Sequence, residues 1–520
     1  MNALPQIEFR LIGRKENPID GRPNTVYLKI DHWNDYSFVT MFEVFAYDEN
    51  AAPHRLPNVK IGFVGQTVDV STHATLEKSF THLPQNYFSV ATDIDFYKTL
   101  ARDFSQAWRT VFLTSLRDVV HDPGILDIAK SENVFKTSHL RSVSINSIVS
   151  QFPRVLAGDV PPTDFLFHFS LPSSEKFAEF DLEFRVEAGS LPSTNIHAII
   201  GRNGVGKTTL LKHMVKAIAG QSELGARFYE PGLFGAGRKA LGKDFFANLV
   251  SIAFSAFDPF DLPAADENPS DGTPYSYIGL TDYSGEDGSI LKSRDELHSE
   301  FIDALRFCLS ETVRRQRWLD AVSVLESDSN FADMKLLELT EIEPEDLPAR
   351  AGKLVSRMSS GHAITILTIT QLVAKVEEKT LVLIDEPESH LHPPLLSALV
   401  RSLSQLLYKQ NGVAIVATHS PVVLQEIPSA CVWKLYRTRA SSEKSRPSIE
   451  TFGENVGTLT REVFGLEVEK AGFHTLLRQE VDSGGSYETI VNRFKGSLGL
   501  EAHGILRAMV INRDAGQDRQ

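Results

Sequence analysis

Along the N-terminal stretch, apolar and polar positions alternate with a period of two in "IEFRL", "TVYLKI", "FVTMFEVFAY" and "VKIGFVG", broken by Pro, Gly and Asn. That pattern predicts the strands of a small sheet. From Asp95 the spacing changes to threes and fours in "DFYKTLARDFSQAWRTVFLTSLRDVV". It predicts a long amphipathic helix with Asp95 as N-cap, ended by Pro123-Gly124. Further helical pieces reach Ala157, and "GDVPPTD" at Gly158 to Asp164 reads as a linker. Residues 1–158 are therefore expected to be an N-terminal α+β region.

Two alternating runs follow, "FLFHFSL" and "FAEFDLEFRVEA", then a short apolar strand, "NIHAII", and a helix-like "TTLLKHMVKAIAG". These define the first part of a second domain, residues 159–223. Asp258 to Asp287 is rich in Asp, Pro, Gly and Ser and reads as a loop or mobile insertion. "DELHSEFIDALRFCLSETVRRQRWLDAVSVLES" then carries a helical period. Residues 224–350 are expected to interrupt the domain as a helical arm. It resumes over 351–449 with an apolar helix, Ala363 to Val373, and two apolar strands, "TLVLID" and "GVAIVAT". A C-terminal helical segment, 450–520, contains "AGFHTLLRQEV" and "EAHGILRAMVI", amphipathic helices suited to capping the domain or binding a partner.

A chain of 520 residues with 42% hydrophobic content has room for roughly two to four packed domains. Two cysteines, Cys308 and Cys431, form neither a disulfide framework nor a zinc spacing. The N-terminus lacks the apolar core of a signal peptide, and no apolar run approaches the ~18 residues that span a bilayer. A soluble, cytoplasmic protein is expected. A net charge of −14 repels polyanions on average, so nucleic acid would need a local patch. "RRQRW" (Arg314 to Trp318) and "KLYRTRASSEKSR" (Lys434 to Arg446) are the candidates; both also read as solvated surface.

The chemistry concentrates in four stretches. "GRNGVGKT", Gly201 to Thr208, fits G-x-x-x-x-G-K-[ST] between a strand and a helix. Its glycines let backbone N–H groups wrap phosphates, Lys207 reaches the outer phosphates and Thr208 ligates Mg²⁺. The expected nucleotide-binding set is Gly201, Asn203, Gly204, Gly206, Lys207, Thr208 and Thr209. In "TLVLIDEPESHLHP" a buried strand ends in Asp385, expected to hold Mg²⁺, and Glu386, expected to polarise the attacking water. His390 and His392 form an H-x-H, but with no third ligand in sight no metal is expected there. "GVAIVATHS" ends in His419, placed to contact a terminal phosphate. In "MSSGH" a helix start exposes free N–H groups that can hold an anion through Ser359, Ser360 and Gly361.

This order of motifs resembles an ABC-type ATPase head. The resemblance implies that Ser359, Ser360 and Gly361 bind the γ-phosphate of an ATP held by a second protomer, so that two heads sandwich two ATP molecules. Met358, Ser360 and His362 replace the commoner Leu, Gly and Gln of the signature. "EPESHLHP" is similar to the corresponding loop of the RecF, SMC and OLD-like heads. "SAFDPF" (Ser255 to Phe260) and "ETFGENVGTLTREVFGL" (Glu450 to Leu466) resemble ATPases of bacterial anti-phage systems such as the Septu ATPase PtuA. No Q-loop glutamine is evident; Ser255 and Asp258 stand in its place. An adenine-stacking aromatic is sought among Phe165, Phe167 and Phe169, which equally suit a strand core.

The expectation is an α/β, ABC-type P-loop ATPase that binds ATP and Mg²⁺ and pairs through composite sites into an even-numbered homo-oligomer. It would regulate a separately encoded effector, a nuclease in anti-phage defence, with nucleic acid meeting the complex near Arg314, Arg315 and Arg317. The alternatives are a self-contained OLD-like nuclease, for which no D-x-D follows His419, and a DNA-repair or SMC-like DNA-binding ATPase. A transporter motor fits poorly with the N-terminal region, and a P-loop kinase leaves "MSSGH" and His419 unexplained.

Overall fold

The computed structural model describes residues 5–19, 21–31, 38–158, 164–173, 179–222, 225–231, 237–242, 245–254, 265, 273–282, 290–438, 441–468 and 472–517. The N-terminal residues form a six-stranded sheet in the order Ser79–Phe80, Glu8–Ile12, Thr25–Ile30, Met41–Tyr47, Pro53–Phe63, Tyr87–Ala91. Its neighbours are antiparallel except Glu8–Ile12 and Thr25–Ile30, which run parallel. Against it pack two helices, Ile94–Asp103 and Gln106–Ser115, where the sequence pattern predicted one. Phe104 is extended, and the Ser105 hydroxyl accepts the Trp108 N–H, so a second helix starts there. Asp93, not Asp95, caps the first helix by accepting the Asp95 N–H at 2.9 Å. Phe96, Tyr97, Trp108 and Phe112 from these helices fill the core beneath the sheet.

The second domain is built on a seven-stranded sheet in the order Tyr275–Gly279, Asn248–Ala253, Thr380–Asp385, Val413–Thr418, Ile196–Gly201, Val432–Thr438, Ser441–Ser445. The first six are mutually parallel and the last is antiparallel. Alternation of side chains explains why the central strands are apolar throughout. Leu381 and Leu383 face a layer formed by the helix Lys207–Ile218 and a four-stranded antiparallel sheet, while Val382 and Ile384 face a helical layer. That helical layer includes Arg294–Ser310, Thr312–Leu325, Ser360–Lys375 and Pro393–Lys409. This three-layer α/β arrangement, with a P-loop after a central parallel strand, is a P-loop ATPase fold.

The helical insertion folds back on the head. Phe301, Leu305 and Trp318 share one core with Val382, Leu399 and Val416, because their apolar face would otherwise meet water. The first part of the expected arm, 224–350, is not helical: Asn248–Ala253 and Tyr275–Gly279 within it supply strands to the central sheet itself, and the helices begin at Arg294. A helix break at Glu311, extended at φ −122°, divides the long predicted helix in two. At the C-terminus, Leu459 and Val463 of Val456–Val468 enter the head core. Phe473–Asp482, Tyr487–Arg493 and Leu500–Gln517 form a small core of their own around Leu477, Ile490 and Leu506. No helix of the described residues is long and apolar enough to cross a membrane.

A buried polar seam joins the N-terminal region to the head. Arg317 donates to both oxygens of Asp93 at 2.6 and 2.8 Å and to Asp95 at 3.1 Å. Lys98 pairs with Glu378 at 2.9 Å, and the Ser147 hydroxyl donates to Glu377 at 2.6 Å. Such pairs contribute little net stability but fix geometry, since any other placement strands a charge.

Candidate functional site

Parallel strands bring their C-terminal ends to one edge, and register sets which residues meet there. Thr418 lies opposite Ile200, and Asp385 lies between Ala417 and Ala253. The residues following these strand ends, Gly201 to Thr209, Glu386 and His419, therefore converge.

Gly204 and Gly206 adopt φ of +77° and +102°, and a Cβ on either would meet nothing within 4 Å. Left-handed backbone, not lack of space, demands glycine here. The loop they shape opens onto the N-terminus of Lys207–Ile218, where free N–H groups favour an anion. Asn203, Thr208 and Thr209 lie in this loop and the first turn of the helix, Asn203 exposed and both threonines half-buried. Lys207 is 4% exposed. Its ammonium donates to the carbonyls of Gly201 (3.2 Å) and Arg202 (3.3 Å) and lies 2.9 Å from Nε2 and 3.2 Å from Nδ1 of His419. Burial pushes its pKa below the ordinary lysine value, opposed by the charges of Glu386, Asp385 and Glu388.

Asp385 is buried at the end of its strand. Glu386 follows in left-handed backbone, φ +46°, an uncommon state for a non-glycine residue, with its N–H held by the Ala417 carbonyl at 2.9 Å. Its carboxylate lies 2.8 Å from His419 Nε2. That hydrogen bond, with the charges of His419 and Lys207, holds the Glu386 pKa below the usual carboxylate range against the effect of burial. Nε2–H of His419 donates to Glu386, with the Lys207 ammonium lying beside the same ring. Glu388, which sequence reasoning placed only in a family-like loop, accepts from the Thr418 hydroxyl at 2.9 Å and from the His419 N–H. It fixes the turn that aims His419. Its position two residues after Glu386 was the available signal.

Ser359 caps the helix Ser360–Lys375, its hydroxyl 2.7 Å from His362 Nδ1. Gly361 is a close approach: a Cβ there would sit 2.7 Å from the His390 carbonyl. Ser360 is exposed beside them. His390 turns to the Phe254 carbonyl at 3.2 Å, whereas His392 turns the other way, toward Asp328.

Several sequence expectations are corrected by burial. Arg314 and Arg317 are not a surface patch: they are 4% and 7% exposed, and Trp318 is fully buried. Arg314 pairs with Glu311 at 3.0 Å, Arg317 with Asp93, and Arg315 donates to the Leu309 carbonyl. In the second patch, Lys434 is held by Glu462, and Arg446 lies 3.6 Å over the Trp433 ring while donating to the Val432 and Glu183 carbonyls. Phe165, Phe167 and Phe169 are core residues packed against Phe184, Phe228, Phe245 and Phe246, so none offers a face to a base. Ser255 and Asp258 lie outside the described residues.

Across 528 aligned residues the chain is 46% identical to protein ea59 of Escherichia phage lambda, covering 98% of this chain and 99% of that protein. The chain belongs to the Ea59 family. Residues 354–425 match the family described as "AAA domain, putative AbiEii toxin, Type IV TA system", a span that holds Ser359, Asp385, Glu386 and His419. Among solved structures, an ATP-binding cassette of an ABC transporter in its ADP conformation matches at 14% identity and TM-score 0.27, covering 51% of this chain and 85% of that one. CbiO1 from Clostridium perfringens, part of the ABC transporter complex cbiONQ, matches at 16% and TM-score 0.27, covering 51% and 83%. The AAA-domain match and the glycine loop before Lys207 support a P-loop ATPase domain in this Ea59-family chain.

Proposed function

We propose that the chain binds and hydrolyses ATP, pairs through composite sites and uses the resulting closure to regulate a separately encoded effector. The observation that carries the reading is the chain of contacts Lys207–His419–Glu386 at one sheet edge, beside an open glycine loop.

The residues present fit a nucleotide with its metal. The glycine loop leaves its concave side open, and the single ammonium of Lys207 faces the charges of Asp385, Glu386 and Glu388, a carboxylate excess suited to a further cation. Thr208 and Asp385 would hold Mg²⁺, which when bound offsets phosphate charge. Lys207, now donating to loop carbonyls beside His419, would turn to the outer phosphates, and His419 would follow the terminal one. Both moves remove from Glu386 the groups that hold its pKa down. Its carboxylate then becomes a stronger proton acceptor at the point where water is to be oriented. Nucleotide binding and activation of the base are coupled by the same side chains.

Pairing is supported by Ser359, Ser360 and Gly361 at a helix N-terminus, an anion-holding geometry in the same chain as a P-loop. An effector, a nuclease acting in anti-phage defence, follows from the family-like motifs and from the lack of a second catalytic constellation evident in the sequence. The test is a mixture of variants. Ser359→Arg should bind ATP but neither pair nor turn over, and Lys207→Ala should fail to bind ATP. In a mixed dimer one of two composite sites is intact, so mixing should restore part of the turnover. Wild-type turnover in Ser359→Arg would remove the composite site, and ATP binding unchanged in Lys207→Ala would remove the loop assignment.

A further inference from the structure

The H-x-H at His390 and His392 offered no third ligand in sequence. The fold supplies two more groups. The Asp328 carboxylate lies 3.2 Å from His362 Nε2 and 3.8 Å from His392 Nε2, and one donor atom from each of the three residues lies within 4.8 Å of the others. Gly361 makes this possible, because its missing side chain lets the first turn of Ser360–Lys375 lie against the 387–391 turn.

We propose that Asp328, His362 and His392 form a binding site for a divalent cation of the zinc class, and that the ion sets the direction of the Ser359 hydroxyl. Four ligands at ~2.0–2.2 Å around zinc stand roughly 3.3–3.6 Å apart, so the donors, now within 4.8 Å of one another, need only a small inward shift, and the fourth position stays open for water. The donors are also suitably prepared. Asp328 Oδ1 accepts the N–H groups of Asn330 and Phe331 and faces His362 Nε2, while Oδ2 faces His392. His362 is 6% exposed, walled by Phe331 at a ring distance of 4.9 Å. The His392 side chain is 49% exposed and its Nδ1 accepts the Leu395 N–H at a long 3.4 Å, so it can turn inward at little loss.

The consequence reaches the signature serine. When Nε2 of His362 ligates a cation, its proton must sit on Nδ1, 2.7 Å from the Ser359 hydroxyl oxygen. That N–H then donates to Ser359, whose own O–H is freed to donate to an anion. Without the cation, Nε2–H can donate to Asp328, and Nδ1 then takes the Ser359 proton inward. This second step rests on the reading of Ser359 as a phosphate contact; the cation site does not.

Titration calorimetry of the full chain with Zn²⁺, in the presence of Mg²⁺ and without ATP, tests the site independently of that reading. One ion per chain at micromolar affinity or tighter is expected. His362→Gln and His392→Asn should abolish it, and Asp328→Asn should weaken it while keeping the Oδ1 helix cap. Ser359→Ala, which removes the outer partner of His362, should weaken it about tenfold or more. Variants with the wild-type circular dichroism and melting temperature in chelator show that loss of binding is not loss of fold. Absence of stoichiometric Zn²⁺ binding by wild type, or equal binding by His362→Gln, would overturn the proposal. If Zn²⁺ binds as expected but leaves ATP-dependent pairing unchanged, the link to Ser359 falls and the site stands.

Discussion

Gly361 and Gly352 both lie in helices of the head, yet alanine should act on them with opposite sign. At Gly352, in Leu347–Val355, an added methyl would meet only Ile302 Cδ1 at 4.0 Å. Relief of glycine's unfolded-state entropy should then stabilise by about 0.4–1 kcal/mol. At Gly361 the methyl would stand 2.7 Å from the His390 carbonyl oxygen, well inside the 3.4 Å at which ordinary contact begins. Neither side yields easily, since the obstacle is backbone in a 3₁₀ turn, Pro387–His390. Overpacking of this kind costs about 1–3 kcal/mol. The helix-propensity gain is at most about 1 kcal/mol, and smaller in a first turn, so the clash wins. For a head of roughly 300 residues a net loss of about 1–2 kcal/mol lowers the melting temperature by about 2–3 °C, and Gly352→Ala should raise it by about 1 °C. Thermal unfolding of both variants beside wild type decides the matter. A Gly361→Ala protein as stable as wild type would show that the signature helix does not need its close approach to the 387–391 turn.

Three further outcomes follow from buried charge and from the proposed pairing. Arg317→Met leaves Asp93 unpaired in the seam and should destabilise by about 3–5 kcal/mol, while Arg317→Met with Asp93→Asn should recover part of that; equal denaturant midpoints for the single and double variants would refute the pairing energetics. Burial pushes the Asp118 pKa up to about 7, despite hydrogen bonds from Tyr97, Val120 and His121. Its neutral form is favoured by the fold, so its contribution is full below about pH 4 and is lost as pH rises through about 7, a slope on the order of a few kcal/mol in all. Asp118→Asn should flatten unfolding free energy against pH over that window, whatever its absolute stability. Ser359→Arg should abolish ATP-dependent association in sedimentation experiments while fluorescent-nucleotide binding to the monomer persists.

The motifs at the sheet edge were legible because each is contiguous and its context is local: a strand, a loop and a helix within Ile196 to Ile218, or a strand ending in Asp385-Glu386. The α/β class followed from apolar runs that only a doubly covered parallel sheet explains. What could not be read depends on partners distant in sequence. Arg314 and Arg317 look like a solvated helix face until the Ser142 carbonyl, Asp93 and Asp95 are brought against them. Asp328 gives no sign of belonging with His362 and His392 until three helix starts meet. Phe165, Phe167 and Phe169 have the same alternation whether they face a base or a core. Breaks at Phe104 and Glu311 escaped the period because the apolar spacing runs on through them while the backbone turns extended.

Glu386, aimed by His419 and released when Lys207 turns to phosphate, is proposed as the base for ATP hydrolysis. Steady-state ATP turnover and nucleotide affinity measured side by side for wild type and Glu386→Gln test it most directly. Turnover by wild type is expected, with at least a hundredfold lower turnover in the variant, in line with the roughly 10²–10⁴ contributed by a positioned base, and with ATP affinity retained. Wild-type turnover by Glu386→Gln would contradict that role.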